Sequence, residues 1–190
     1  MAEDCFAGLT WLRDHATELN VDPARIAVMG DSGGGCVAAA TAILARDRKF
    51  TPPLAKQILI YPMLDDRNIK SDESLLPFMA WSYEDNLTAW SAVLGKSVDE
   101  MKAGIADVSP YTAPARVTDT ANLPPMYIEV GNLDIFRDED IEYARRLSVA
   151  NVTTELHVRG GCPHGWEVLA PKAEVTVQAM VDRMKALQSF

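Results

Sequence analysis

Gly30-Asp31-Ser32-Gly33-Gly34 follows a short apolar run, Ile26-Ala27-Val28-Met29, and precedes a long stretch of helix formers, Cys36 to Arg48. A Gly-x-Ser-x-Gly turn between a strand and a helix is the layout of a nucleophile elbow. So tight a turn brings its flanking residues into collision unless they lack side chains, which is what Gly30 and Gly34 provide. The same constraint holds the serine in strained backbone and lifts its hydroxyl clear of the sheet. A chain built around such a turn needs a strand inside a sheet and a helix packed directly upon it.

The rest of the chain supplies those elements. Phe6, Leu9, Leu12, Ala16 and Leu19 recur at helical spacing and predict a helix from Asp4 to Leu19. Gln57 to Tyr61 is a nearly continuous apolar run, the pattern of a strand covered on both faces. Pro124-Pro125 introduces another strand, Met126 to Val130, and a helix follows from Arg137 to about Ala150, with acids Asp138, Glu139 and Asp140 in its first turn as the helix dipole favours. Thr154 to Val158 alternates as a half-buried strand with Leu156 and Val158 on one face. A last helix from about Lys172 to Leu187 is expected to bury Val177, Val181, Met184 and Leu187. Strands alternating with helices imply an α/β fold, a parallel sheet covered by helices on both sides. The segment 65–120 breaks the alternation, being polar at first and then aromatic and helical, and reads as an inserted cap.

Charge and composition narrow the function. The net charge of −9, with no block rich in Lys or Arg, argues against nucleic acid or an anionic membrane as partner. No apolar run is long enough to span a bilayer, and the start Met1-Ala2-Glu3-Asp4 is acidic where a signal peptide is basic, so a cytoplasmic protein is expected. Cys5, Cys36 and Cys162 are an odd number at wide spacing, which fits a reducing compartment, and Cys162 reads as a small buried thiol. Neither CxxC nor HExxH occurs, so no metal site is expected.

A serine hydroxyl needs a neighbouring base, and the base an acid that fixes its tautomer. The chain has three histidines. His15 falls in the first helix and His157 inside a strand, whereas His164 lies in the glycine-flanked loop Gly160 to Trp166 just past a strand. Asp134 follows the strand ending at Val130, with Asp138 and Glu139 as rivals that read as first-turn helix acids. Ser32, Asp134 and His164 each follow a strand, where active residues of parallel sheets gather, and the order Ser, Asp, His is that of the α/β-hydrolases. Chymotrypsin-like proteases also carry Gly-Asp-Ser-Gly-Gly, but they are all-β and place His and Asp ahead of Ser. Gly33-x-Gly35-x-x-Ala38 is a poor dinucleotide fingerprint, because Asp31-Ser32 separates it from the strand.

On these motifs the chain resembles the hormone-sensitive-lipase-like esterases, the fold-3 group of α/β-hydrolases. Asp22-Pro23-Ala24-Arg25-Ile26-Ala27-Val28 and Gly30 to Gly34 match that group's elbow and its approach; Asp134 to Glu139 resembles its aspartate motif, and His164-Gly165-Trp166 its His-Gly-Phe motif. The resemblance implies a carboxylic ester hydrolase acting on short or medium acyl esters, with a small-molecule substrate, no cofactor and no metal. Ser32, Asp134 and His164 would be the catalytic residues, and the N–H of Gly33 an oxyanion donor.

One family feature is missing. The His-Gly-Gly-Gly motif that completes the family's oxyanion hole lies well upstream of the elbow, and only 31 residues precede Ser32 here. The chain therefore reads as one α/β-hydrolase domain, 1–190, without the family's N-terminal strands and with a partial helical cap. Ile26 to Met29 is expected at an open sheet edge. A homodimer covering that edge has no signal in the sequence. The reading that competes with an esterase is a non-catalytic hydrolase-fold fragment or ligand-binding module.

Overall fold

The computed structural model describes residues 1–190. Its centre is a four-stranded parallel sheet in the order β1 (Ala27–Asp31), β2 (Lys56–Ile60), β3 (Met126–Gly131), β4 (Thr154–Arg159). The two inner strands are the most apolar, because they alone are hydrogen-bonded on both edges and covered on both faces. Every residue of β3 is buried, as are Gln57 to Ile60 of β2.

Alternation along those strands divides the core. Leu59, Met126 and Ile128 pack with Ala38, Ala39 and Ile43 of α2 (Gly33–Asp47) and with Tyr143, Ala144 and Leu147 of α5 (Arg137–Val149). Ile58, Ile60 and Tyr127 face Ala179 and Ala186 of α7 (Glu174–Gln188) and Tyr83, Trp90 and Met101 of the 65–120 segment. Full burial of each Ile or Leu is worth about 1.5–3 kcal/mol. The alanines of α2 let that helix approach the sheet closely, and Ala39 and Ala42 have no exposed surface. Its outer side is covered by α1 (Ala2–Asp14), where Leu9 meets Ile26, Ala42 and Ala45. β1 pairs with β2 alone and is one edge of this sheet.

The 65–120 segment holds two capped helices, α3 (Tyr83–Leu94) and α4 (Val98–Ala103), each opened by a serine capping box at Ser82 and Ser97. Its entry and exit are adjacent. Ala115 N–H donates to the Leu64 carbonyl at 3.1 Å, and Arg116 holds Asp66 with two bonds of 2.8 Å.

Four details differ from the expectations. α1 stops at Asp14, and a run of turns through Asn20, at φ 54°, turns Leu19 outward. In α7 the buried positions are Thr176, Ala179, Arg183 and Ala186, while Val177, Val181, Met184 and Leu187 are 38–54 % exposed. Small residues win that face because they allow close packing, and Arg183 wins because Glu129 lies opposite. Leu156 and Val158 keep 37 and 42 % of their surface exposed, since β4 is the other edge of the sheet. Finally, Glu139 and Asp140 of α5 are buried instead of decorating a solvated helix start.

Candidate active site

Ser32 stands between β1 and α2 at φ 53°, ψ −122°. Its N–H donates to the Ile60 carbonyl at 2.9 Å, and its own carbonyl accepts from Cys36 and Met63, so the strained residue is held from several sides. The turn closes because Gly30 lacks a side chain: a Cβ there would lie 2.1 Å from the Gly34 carbonyl oxygen. Gly33 is the first residue of α2, so its N–H is among those that the helix itself cannot satisfy.

The loop after β3 carries Asp134, which is 1 % exposed. Phe136 N–H donates to Asp134 Oδ1 at 3.0 Å. The loop after β4 carries His164. The two loops are laced together: Leu133 N–H donates to the Cys162 carbonyl at 3.0 Å, Asn132 N–H to that of Arg159 at 2.9 Å, and Gly161 N–H to Asn132 Oδ1 at 2.7 Å. Gly131 permits this, because a Cβ on it would sit 2.1 Å from the Cys162 oxygen.

The three candidate residues meet. His164 Nδ1 is 2.7 Å from Asp134 Oδ2, and His164 Nε2 is 3.0 Å from Ser32 Oγ. An ionised carboxylate only accepts, so the proton belongs on Nδ1 and the lone pair of Nε2 faces the serine hydroxyl. The imidazole is wedged between Tyr61 and Phe136, edge to face, at centroid distances of 4.6 and 5.2 Å. Such an arrangement can accept a proton from the serine as its oxygen attacks an acyl carbon.

The other histidines are elsewhere. His15 stacks on Trp11, and His157 bonds Glu155 at 2.8 Å. Of the rival acids, Asp138 pairs with Arg137 at the surface. Glu139 is committed elsewhere, accepting the Leu64 and Asp65 N–H groups and the Asn68 amide. Burial pushes its carboxyl well above the usual range, against the pull of those donors. Cys162 is buried, and burial also raises the thiol of Cys36, to about 12. No cluster of three or more His, Cys, Asp or Glu side chains is placed to hold a metal ion. A cleft of about 790 Å³ between the 65–120 segment and α5 reaches Asp134 but neither Ser32 nor His164.

Sequence reasoning missed Gly131, Asn132, Tyr61 and Phe136. Gly131 had a local signal, a glycine closing an apolar strand, and Phe136 lies two residues from Asp134; Asn132 and Tyr61, and the ring of Phe136, matter through contacts with the distant His164 loop.

A family model described as alpha/beta hydrolase fold matches residues 1–168. Esterase LipI of Mycobacterium tuberculosis is 36 % identical over 168 residues, covering 86 % of this chain and 49 % of that protein. Carboxylesterase NlhH of the same species is 33 % identical over 194 residues, covering 98 % of this chain and 59 % of its own length. A solved structure titled Bacterial Heroin Esterase superposes with a TM-score of 0.88 at 38 % identity, over 99 % of this chain and 58 % of that one. The chain thus spans about half to three-fifths of the length of these relatives.

Proposed function

The chain belongs to the alpha/beta hydrolase fold family, in its hormone-sensitive-lipase-like esterase group, and we propose that it hydrolyses carboxylic esters through an acyl-enzyme on Ser32. The observation that carries this is the hydrogen-bonded line from Ser32 through His164 to Asp134, at 3.0 and 2.7 Å. The names of the relatives, esterase and carboxylesterase, support the same chemistry.

In this reading the Ser32 oxygen bonds to the acyl carbon while its proton passes to His164 Nε2. Asp134 stabilises the resulting imidazolium. The Gly33 N–H and the start of α2 face the developing oxyanion. Collapse breaks the bond to the alkoxy oxygen, which takes the proton from His164 and leaves as the alcohol. Water then attacks the acyl-enzyme, giving its proton to His164, and the acid departs as Ser32 is reprotonated. The segment 65–120 serves as a cap beside the site, and the substrates are small esters of short or medium acyl chains.

A fluorophosphonate probe tests this on the purified chain, because it phosphonylates only a primed serine. Labelling that disappears in Ser32→Ala and in His164→Ala, with p-nitrophenyl butyrate turnover lost in parallel, is expected. Folded wild-type chain that takes no label would overturn the esterase reading and leave a binding module of hydrolase fold.

A further inference from the structure

Behind the imidazole lies a buried charged cluster that the acyl-transfer steps do not use. Its base is Glu129 of β3, which has no exposed surface. Arg159 of β4 donates to Glu129 Oε2 at 2.9 Å, Tyr127 donates to the same oxygen at 2.9 Å, and Arg183 of α7 bonds Oε1. Arg183 also reaches out of this cluster, donating from Nη1 to Glu167 Oε1 at 2.8 Å. The Tyr61 hydroxyl donates to that same Glu167 oxygen at 2.7 Å. Glu167 lies three residues past His164, in the four-residue helix α6 (Trp166–Leu169).

We propose that Glu167 is a positioning residue for His164, tethering the histidine loop to Tyr61 and to Arg183. The inference rests on the acyl-transfer reading. The loop is laced to the β3 loop only upstream of His164, through Arg159, Gly161 and Cys162; downstream, Gly165 has a φ of 64° and a single-turn helix cannot fix its own orientation. The tether is rigid at its far end, because Arg183 is already held by a desolvated carboxylate on a central strand. It also bears on the imidazole directly, since the Tyr61 ring that donates to Glu167 packs edge-on against His164. Burial opposes ionisation of Glu167, but the Tyr61 hydroxyl and Arg183 outweigh it and hold the carboxyl below its ordinary range. A buried ionic network of this kind is weak as a source of stability, and its worth lies in the geometry that it enforces. Cutting it at Glu167 leaves the downstream loop held only by the buried indole of Trp166 and releases the Tyr61 hydroxyl, so the ring that flanks the imidazole can shift and let His164 tilt away from Ser32.

The experiment compares wild type, Glu167→Ala, Glu167→Met and Glu167→Gln on the 190-residue chain. It measures the rate of fluorophosphonate labelling, kcat and KM for p-nitrophenyl butyrate, and the far-downfield proton NMR signal of the His164 Nδ1–H bonded to Asp134. Glu167→Ala is expected to slow labelling and lower kcat by about 10²-fold, the cost of a misplacement near 1 Å, with KM within about twofold of wild type. Its Nδ1–H signal should broaden or vanish. Glu167→Gln, which keeps an acceptor for Tyr61 and Arg183, should recover most of the rate and the signal. Glu167→Met fills the same volume and decides the matter if the alanine variant does not fold. A folded Ala or Met variant that labels at the wild-type rate with a sharp Nδ1–H signal overturns the positioning role and leaves the esterase reading standing. An unlabelled wild type overturns the esterase reading instead, and the NMR comparison alone then decides whether Glu167 orders His164.

Discussion

At the scale of single residues, this site is a problem of close approach. Ser32 carries a strained backbone, and Gly30 and Gly131 stand where backbone passes too near for a side chain, the start of α2 at Gly30 and the His164 loop at Gly131. Backbone carbonyls at 2.1 Å from a would-be Cβ cannot swing aside as a flexible side chain does, so Gly30→Ala and Gly131→Ala are each expected to prevent recovery of folded chain, checked by circular dichroism and thermal melting. Asp134→Asn tests a subtler point, because it preserves volume and the Phe136 N–H bond while unsettling the imidazole tautomer. It should lower kcat by about 10⁴-fold with KM nearly unchanged, as expected for a group that acts on the transition state. A variant retaining a tenth or more of wild-type kcat would remove Asp134 from the proposed triad.

Among the elements, α5 holds the largest surprise. Three acids open it, as a helix dipole favours, yet only Asp138 is solvated. Glu139 is satisfied by three donors from the 64–68 segment, whereas Asp140 is fully buried with no partner on either oxygen. Burial first, then the charges of Glu139 and Asp134, pushes the Asp140 carboxyl well above its usual range. A carboxyl with a raised folded-state pKa binds its proton more tightly folded than unfolded. Its penalty is therefore absent at low pH and grows as pH climbs from the unfolded carboxylate range toward the raised value. Asp140→Asn should leave Tm nearly unchanged at pH 4 and raise it at pH 8 by about 3 °C or more, since about 1 kcal/mol moves a domain of this size by 2–4 °C. Equal shifts at both pH values would show that the charge of Asp140 is not the cause.

Across the whole molecule, the sheet supplies the fixed frame, and the 65–120 segment packs Tyr83, Trp90 and Met101 against one of its faces while its two ends meet at a single stem. Asp66 is 3 % exposed and takes a two-pronged bond from Arg116, directly beside the Ala115-to-Leu64 backbone bond. Breaking a buried pair leaves one charge uncompensated and costs about 3–5 kcal/mol where the charge cannot reach water. Arg116→Met should therefore loosen the stem. Limited proteolysis is expected to cut within 65–120 at least several times faster than in wild type, while fragments carrying β3, β4 and α7 stay protected. Cleavage spread evenly over the chain would mean that the segment and the sheet unfold as one unit.

The local signals and the long-range ones divide cleanly. The strand, turn and helix around Ser32, the apolar inner strands, and the loop positions of Asp134 and His164 were legible along the chain, because each depends on neighbours a few residues away: a glycine where space is short, an apolar run where both faces are covered. The resemblance to a known esterase group rested on those same short motifs. Which face of α7 turns inward was not legible. An apolar stripe of Val177, Val181 and Met184 competed with one of small and polar residues on the same helix, and the choice fell to Ala179 and Ala186 because small residues allow close packing, and to Arg183 because Glu129 waits on β3. The burial of Glu139 and the link from Tyr61 through Glu167 to Arg183 were equally hidden, since their partners are 75, 106 and 16 residues apart. Periodicity reports how residues alternate between core and solvent, but the pairing of polar groups inside the core is decided only when the sheet brings distant loops together.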